Sequence, residues 1–85
     1  MIKTVKVITM AAFKQLVNTT SIQVRKARKT SNLYGVNDRE ELVCSFAADT
    51  DFSQPINVLL ERNDEDGSEW YFAVNGSAPE NIATL

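Results

Sequence analysis

Residues 56–75 constrain this chain more than any other stretch. Ile56, Val58 and Leu60 alternate with Asn57, Leu59 and Glu61, and Trp70, Phe72 and Val74 alternate with Tyr71 and Ala73. A period of two in both runs is the pattern of strands whose successive side chains face opposite sides of a sheet. Between them, Asp64-Glu65-Asp66-Gly67 supplies turn chemistry, with Gly67 free to take a positive φ. Loop length then decides register. A four-residue loop sets Arg62 opposite Glu69, an attractive cross-strand pair, whereas a two-residue Asp66-Gly67 loop opposes Asp64 and Glu69, which repel. The longer loop is expected.

The rest of the chain is read outward from that hairpin. Ile2–Ile8 alternates as a strand, with Ile2, Thr4, Lys6 and Ile8 on one side and Lys3, Val5 and Val7 on the other. Thr9 can cap a short helix whose apolar face is Met10, Phe13, Leu16 and Val17, ending at Asn18-Thr19-Thr20. Two turns of helix hold only by packing on a sheet. Ser21–Lys26 and Leu33–Val36 form a second hairpin with Arg28 and Lys29 at its tip. At 38–47 two readings compete. Asn37 with Glu40 fits a helix capping box ahead of Leu42, Val43, Phe46 and Ala47, but Leu42, Cys44 and Phe46 also alternate as a strand. The turn-rich Asp49–Pro55 and the strand after it favour the strand by a small margin. The tail 77–85 carries Pro79, with Ile82 and Leu85 as anchors to the body.

The expected architecture is α+β: a short N-terminal strand and one short helix packed on a mostly antiparallel meander sheet of about five strands. Eighty-five residues, 44% of them hydrophobic and few of them Gly or Pro, make one small folded domain. The apolar stretches are too short to span a membrane, and the alternating N-terminus lacks the apolar run of a signal peptide. A cytoplasmic location is expected, in keeping with a lone cysteine that has no internal partner.

The chemistry is defined first by what the composition withholds. There is no histidine, so the commonest general base and most zinc ligand sets are missing. No phosphate-cradling Gly-rich motif occurs. Aligning Gly67 with the glycine of a calcium-binding loop puts Arg62 at the first ligand position and Ala73 at the last, so that motif fails. Asp49 with Asp51, and Asp64-Glu65-Asp66, read as solvated turns ahead of metal ligands. Cys44, between Val43 and Ser45, reads as a small buried hydrophobe ahead of a reactive thiol. A non-enzymatic protein with no cofactor and no metal is expected.

Charge carries the functional signal. Residues 1–37 hold seven cations and no acid, while residues 38–85 hold eleven acids against Arg39 and Arg62. Arg25, Lys26, Arg28 and Lys29 are four cations within five residues, and an anionic partner would offset their repulsion. Tyr34 beside them can stack on a base. Opposing this, Glu40, Glu41, Asp49, Asp51 or the 64–66 cluster can neutralise the four within the fold, and an acidic chain is unusual for a nucleic-acid binder. The acidic half has its own reading as a surface for a basic cleft, in the manner of small inhibitory proteins, through Asp49, Asp51, Asp64, Glu65, Asp66 and Glu69. A protein partner ranks first, nucleic acid second and metal-dependent catalysis last. Opposite charges on two faces also permit head-to-tail self-association.

The stretch Val24-Arg25-Lys26-Ala27-Arg28-Lys29-Thr30-Ser31-Asn32-Leu33-Tyr34 resembles a hairpin of small phage-associated proteins. There a basic strand end meets a Lys-Thr turn followed by Leu and an aromatic residue. Asp51-x-x-Gln54-Pro55 and the Trp70–Val74 strand are similarly placed, while Ser31-Asn32 stands where that pattern has Gly-Lys. The resemblance covers about half the chain and carries no activity with it. It implies an origin in a phage or mobile element, hence a host cytoplasm, and a β-rich fold.

Overall fold

A computed structural model describes residues 1–76. Its elements are β1 (Ile2–Thr9), α1 (Met10–Leu16), β2 (Gln23–Lys26), β3 (Leu33–Val36), β4 (Leu42–Phe46), β5 (Ile56–Asn63) and β6 (Glu69–Asn75). The β5–β6 hairpin has the expected register, from Ile56 opposite Asn75 to Arg62 opposite Glu69. Arg62 Nε donates to Glu69 Oε2 at 2.7 Å. The four-residue loop closes through the Gly67 N–H on the Asn63 carbonyl at 2.8 Å, with Gly67 at φ +75°.

The helix starts and stops where side-chain and backbone chemistry direct. Thr9 Oγ1 accepts the Ala12 N–H at 3.1 Å. At the other end Asn18 turns left-handed at φ +53°, the Asn18 N–H donates to the Gln15 carbonyl and the Thr19 N–H to the Lys14 carbonyl. That pair of bonds is a Schellman cap. Phe13 is fully buried, its ring 4.9 Å from that of Tyr71. Leu16, placed by its spacing on the buried face, is instead 54% exposed in the last position of the helix.

Residues 42–46 are a strand, and the alternative helix is ruled out by the turn before it. Glu40 sits at φ +62°, and Asn37 Oδ1 accepts the N–H groups of Arg39 and Glu41, both at 2.9 Å. This Asx-type turn joins β3 to β4.

The sheet corrects the expected meander of five strands. Among the described residues there are six, in the order β1-β5-β6-β4-β3-β2. The N-terminal strand is not an addition to the sheet but one of its edges, paired antiparallel with β5. Because β5 folds back on β6, the strand beside β4 is β6, and that pair is parallel while the other four pairings are antiparallel. The connection 47–55 has length enough to pass one intervening strand.

A bulge in β1 alters the expected parity as well. Thr4 opposes Glu61 and Lys6 opposes Leu60, leaving Val5 as an extra residue. Opposed residues share a face, so Ile2, Thr4, Val7 and Thr9 lie together, while Lys3, Lys6 and Ile8 share the face of Val58. Val5 is buried at the bulge.

The helix covers that Val58 face over β1 and β5, where Ile8, Phe13, Cys44, Phe46, Val58 and Ala73 form the core. Gly35 of β3 lies beneath Ile22, Cys44 and Phe46, and a Cβ there would come within 2.8–2.9 Å of each. Among the described residues no helix is long and apolar enough to cross a membrane. The expected anchoring of the tail by Ile82 and Leu85 lies outside the described residues.

Candidate functional site

The sheet register separates the four clustered cations. Arg25 opposes Tyr34 and Lys26 opposes Leu33, so Arg25 and Tyr34 share one face while Lys26 shares the helix face with Val24 and Leu33. The hairpin closes through the Ala27 N–H on the Asn32 carbonyl at 2.9 Å, leaving Arg28, Lys29, Thr30 and Ser31 as its tip. Lys26, Arg28 and Lys29 are all exposed.

Internal neutralisation reaches one of the four. Arg25 pairs with Glu40 at 2.5 Å and also donates to Gln23 Oε1 at 3.0 Å. The Arg25 hydrogen bond holds the Glu40 carboxyl below its usual range, and Glu40 in turn raises Arg25. Both groups are open to water, so the pair fixes geometry more than it adds stability. No carboxylate among the described residues lies within ion-pair distance of Lys26, Arg28 or Lys29.

The acidic candidates occupy two ends of the sheet. Asp64, Glu65, Asp66 and Glu69 lie at the β5–β6 turn, whereas Asp49 and Asp51 lie in the connection entering the far end of β5. An eight-residue strand separates the groups by roughly 25 Å. Several of these acids have partners within the fold. Lys3 meets Asp64 at 3.4 Å, the amino terminus meets Glu65 at 3.5 Å, and Arg62 meets Glu69. Asp66 accepts the Ser68 N–H and hydroxyl, which lowers its pKa. Asp51 is lowered in the same way by the Ser53 hydroxyl and N–H, while its backbone exchanges two 2.8 Å bonds with the Asn75 side chain. Asp49 is exposed at a turn. Among the described residues no three metal-ligating side chains gather.

Cys44 is buried, and burial pushes its thiol up to about 11. It is held as a thiol at neutral pH, which matches a packing role.

The sequence pattern gave no sign of a groove that lies between α1 and β2. The short helix covers only the β1–β5 half of its sheet face, and a space of about 150 Å³ opens beside it. Met10 and Lys14 of α1, Val24 of β2, Phe46 of β4 and Phe52 of the 47–55 connection line it. The Phe46 and Phe52 rings stand 5.5 Å apart along its floor. The one charged group in this lining is the Lys14 ammonium, and it too has no carboxylate within ion-pair distance among the described residues. Finding this site needed the knowledge that β2 is a sheet edge beside the helix, which residue spacing does not encode.

No family model, no curated protein and no solved structure matches the chain.

Proposed function

We propose that the protein is a non-enzymatic binding module that docks an acidic surface of another protein on the β2–β3 hairpin. The observation that carries this reading is the group of exposed cations Lys26, Arg28 and Lys29, which no carboxylate of the described fold neutralises. Like charges gathered on one turn repel, and a partner's carboxylates relieve that repulsion while steering the encounter. Arg25 stands apart, already held by Glu40, so the contact set narrows to three of the four clustered cations.

Nucleic acid stands second. Tyr34 projects on the face opposite Lys26, so ring and cations do not combine into one stacking platform, and the apolar groove beside the hairpin suits a side chain better than a phosphate chain. The acidic loops at 49–51 and 64–69, at opposite ends of the sheet, remain two separate candidate contacts for a basic partner. An origin in a phage or mobile element belongs to the same reading and is supported by the hairpin resemblance alone.

The test is fluorescence anisotropy with labelled polyglutamate and with single- and double-stranded DNA and RNA, each across a salt series. Binding of polyglutamate that weakens with salt and is lost in the Lys26→Ala, Arg28→Ala, Lys29→Ala triple variant is the expected result. Steeply salt-dependent binding of DNA or RNA, lost in the same variant, would make this a nucleic-acid protein instead. Binding of polyglutamate unchanged in the triple variant would remove the hairpin from the site.

A further inference from the structure

The β2 strand is one edge of the sheet. Its register with β3 shows which backbone groups are left over. The Ala27 N–H bonds inward to Asn32, so the alternation of an antiparallel ladder turns Arg25 and Gln23 inward as well. The N–H and C=O groups of Val24 and Lys26 therefore point away from the sheet. The side chains of the same two residues lie on the helix face, where Val24, 39% exposed, forms one wall of the groove.

We infer that an extended acidic segment of a partner protein adds to β2 as a seventh strand and packs one apolar side chain against Val24. The inference rests on the hairpin reading above and specifies its mode. An added strand lies about 4.8 Å from β2. Its residue opposite Val24 then lies on the helix face beside the exposed Val24 side chain, at the outer rim of the groove. Its residue two positions along faces Lys26, and the segment continues towards Arg28 and Lys29 at the tip. The matching segment has an apolar residue followed, at alternate positions, by carboxylates.

Charge selects this occupant over a second copy of the chain. Pairing β2 with β2 would bring Arg25 and Lys26 alongside the same basic residues of the other copy. Pairing β2 with the opposite edge would set them against Lys3 and Lys6 of β1. Lysines on an edge repel basic or identical strands, and here they leave an acidic strand as the one attracted.

The probe is a fluorescein-labelled peptide of about nine residues with one phenylalanine, glutamates at alternate positions beyond it and threonines elsewhere. Hydrogen exchange of the full chain with this peptide should show added protection at the Val24 and Lys26 amides. Val24→Pro removes an outward N–H that an edge strand does not use, and it should weaken the peptide about tenfold or more beyond the effect of Val24→Ala. Val24→Ala should weaken the peptide but not a version with threonine in place of its phenylalanine. If Val24→Pro matches Val24→Ala and no amide of β2 gains protection, strand addition is overturned. The hairpin reading survives that result if the triple variant still loses the peptide, and falls with it otherwise. A dimer of the peptide-free protein in sedimentation, abolished by Val24→Pro, would assign the edge to a second copy and overturn the inference.

Discussion

Replacing Gly35 by alanine is expected to destabilise the protein by about 1–2 kcal/mol, although alanine is the better strand residue. The added methyl group would lie 2.8 Å from Ile22 Cγ2, 2.9 Å from Cys44 Sγ and 2.9 Å from Phe46 Cε2. Carbon atoms in contact prefer about 3.5–4.0 Å, so three neighbours must each withdraw by more than half an ångström. Ile22 is half-buried and can yield. Cys44 and Phe46 are 4% and 5% exposed and sit two apart on β4, so they move only with their strand. Overpacking of this kind costs about 1–3 kcal/mol, and the backbone entropy of glycine returns about 0.5–1 kcal/mol. For a domain of this size the midpoint should fall by about 5–15 °C. Urea unfolding followed by Trp70 fluorescence and far-ultraviolet circular dichroism measures the loss, with an unchanged m-value as the sign that the unfolded state is unaffected. Cys44→Ala vacates one of the three contacts, so Gly35→Ala should cost at least 0.5 kcal/mol less, roughly, in that background. A Gly35→Ala protein as stable as the parent, or costs that simply add in the double variant, would refute the packing argument.

Gly67→Ala should be destabilising for a different reason, since nothing lies within 4 Å of its Cβ position and φ is +75°; Gly67→Asn should recover most of the loss of about 1 kcal/mol. Asn37→Ala removes the acceptor for the Arg39 and Glu41 N–H groups and should cost about 1–3 kcal/mol in urea unfolding. The Cys44 thiol should resist a disulfide reagent at neutral pH in native buffer and react at once in denaturant, because burial both shields it and holds it protonated. Glu40, Glu41, Asp51 and Asp66 all have folded-state pKa values below their ordinary ones. Their contribution is present above about pH 4.5 and is lost as pH falls through the lowered values. Thermal midpoints should therefore drop on acidification below that point, and less steeply in Glu40→Gln.

Much of the secondary structure was legible because each device is local. Alternation marks β5 and β6, repulsion between Asp64 and Glu69 selects the loop, and Thr9 marks the helix start. The arrangement of the strands was not legible, because alternation gives a strand its faces but not its neighbours. Nothing in residues 42–46 announces that their partner is β6 rather than β5. The bulge escaped for a related reason: Val5 fits the period of two as well as its neighbours do, and only the pairing to β5 reveals it as surplus. The candidate site was half legible. Arg25, Lys26, Arg28 and Lys29 stand out as a run, but which of them keeps an unmatched charge depends on Glu40 approaching from another turn. Lys14 and Phe52 join the groove from positions 38 residues apart in the chain, with no shared pattern to link them.

The place of β1 has a bearing on synthesis. This strand is translated well before its partner β5, which begins at Ile56 and is itself held by β6, so β1 waits until both have been made. Until then its apolar residues have no partner strand to pack beside. Lys3 and Lys6 then serve the nascent chain before they serve the fold, since charges within an unpaired strand discourage contact with other growing chains.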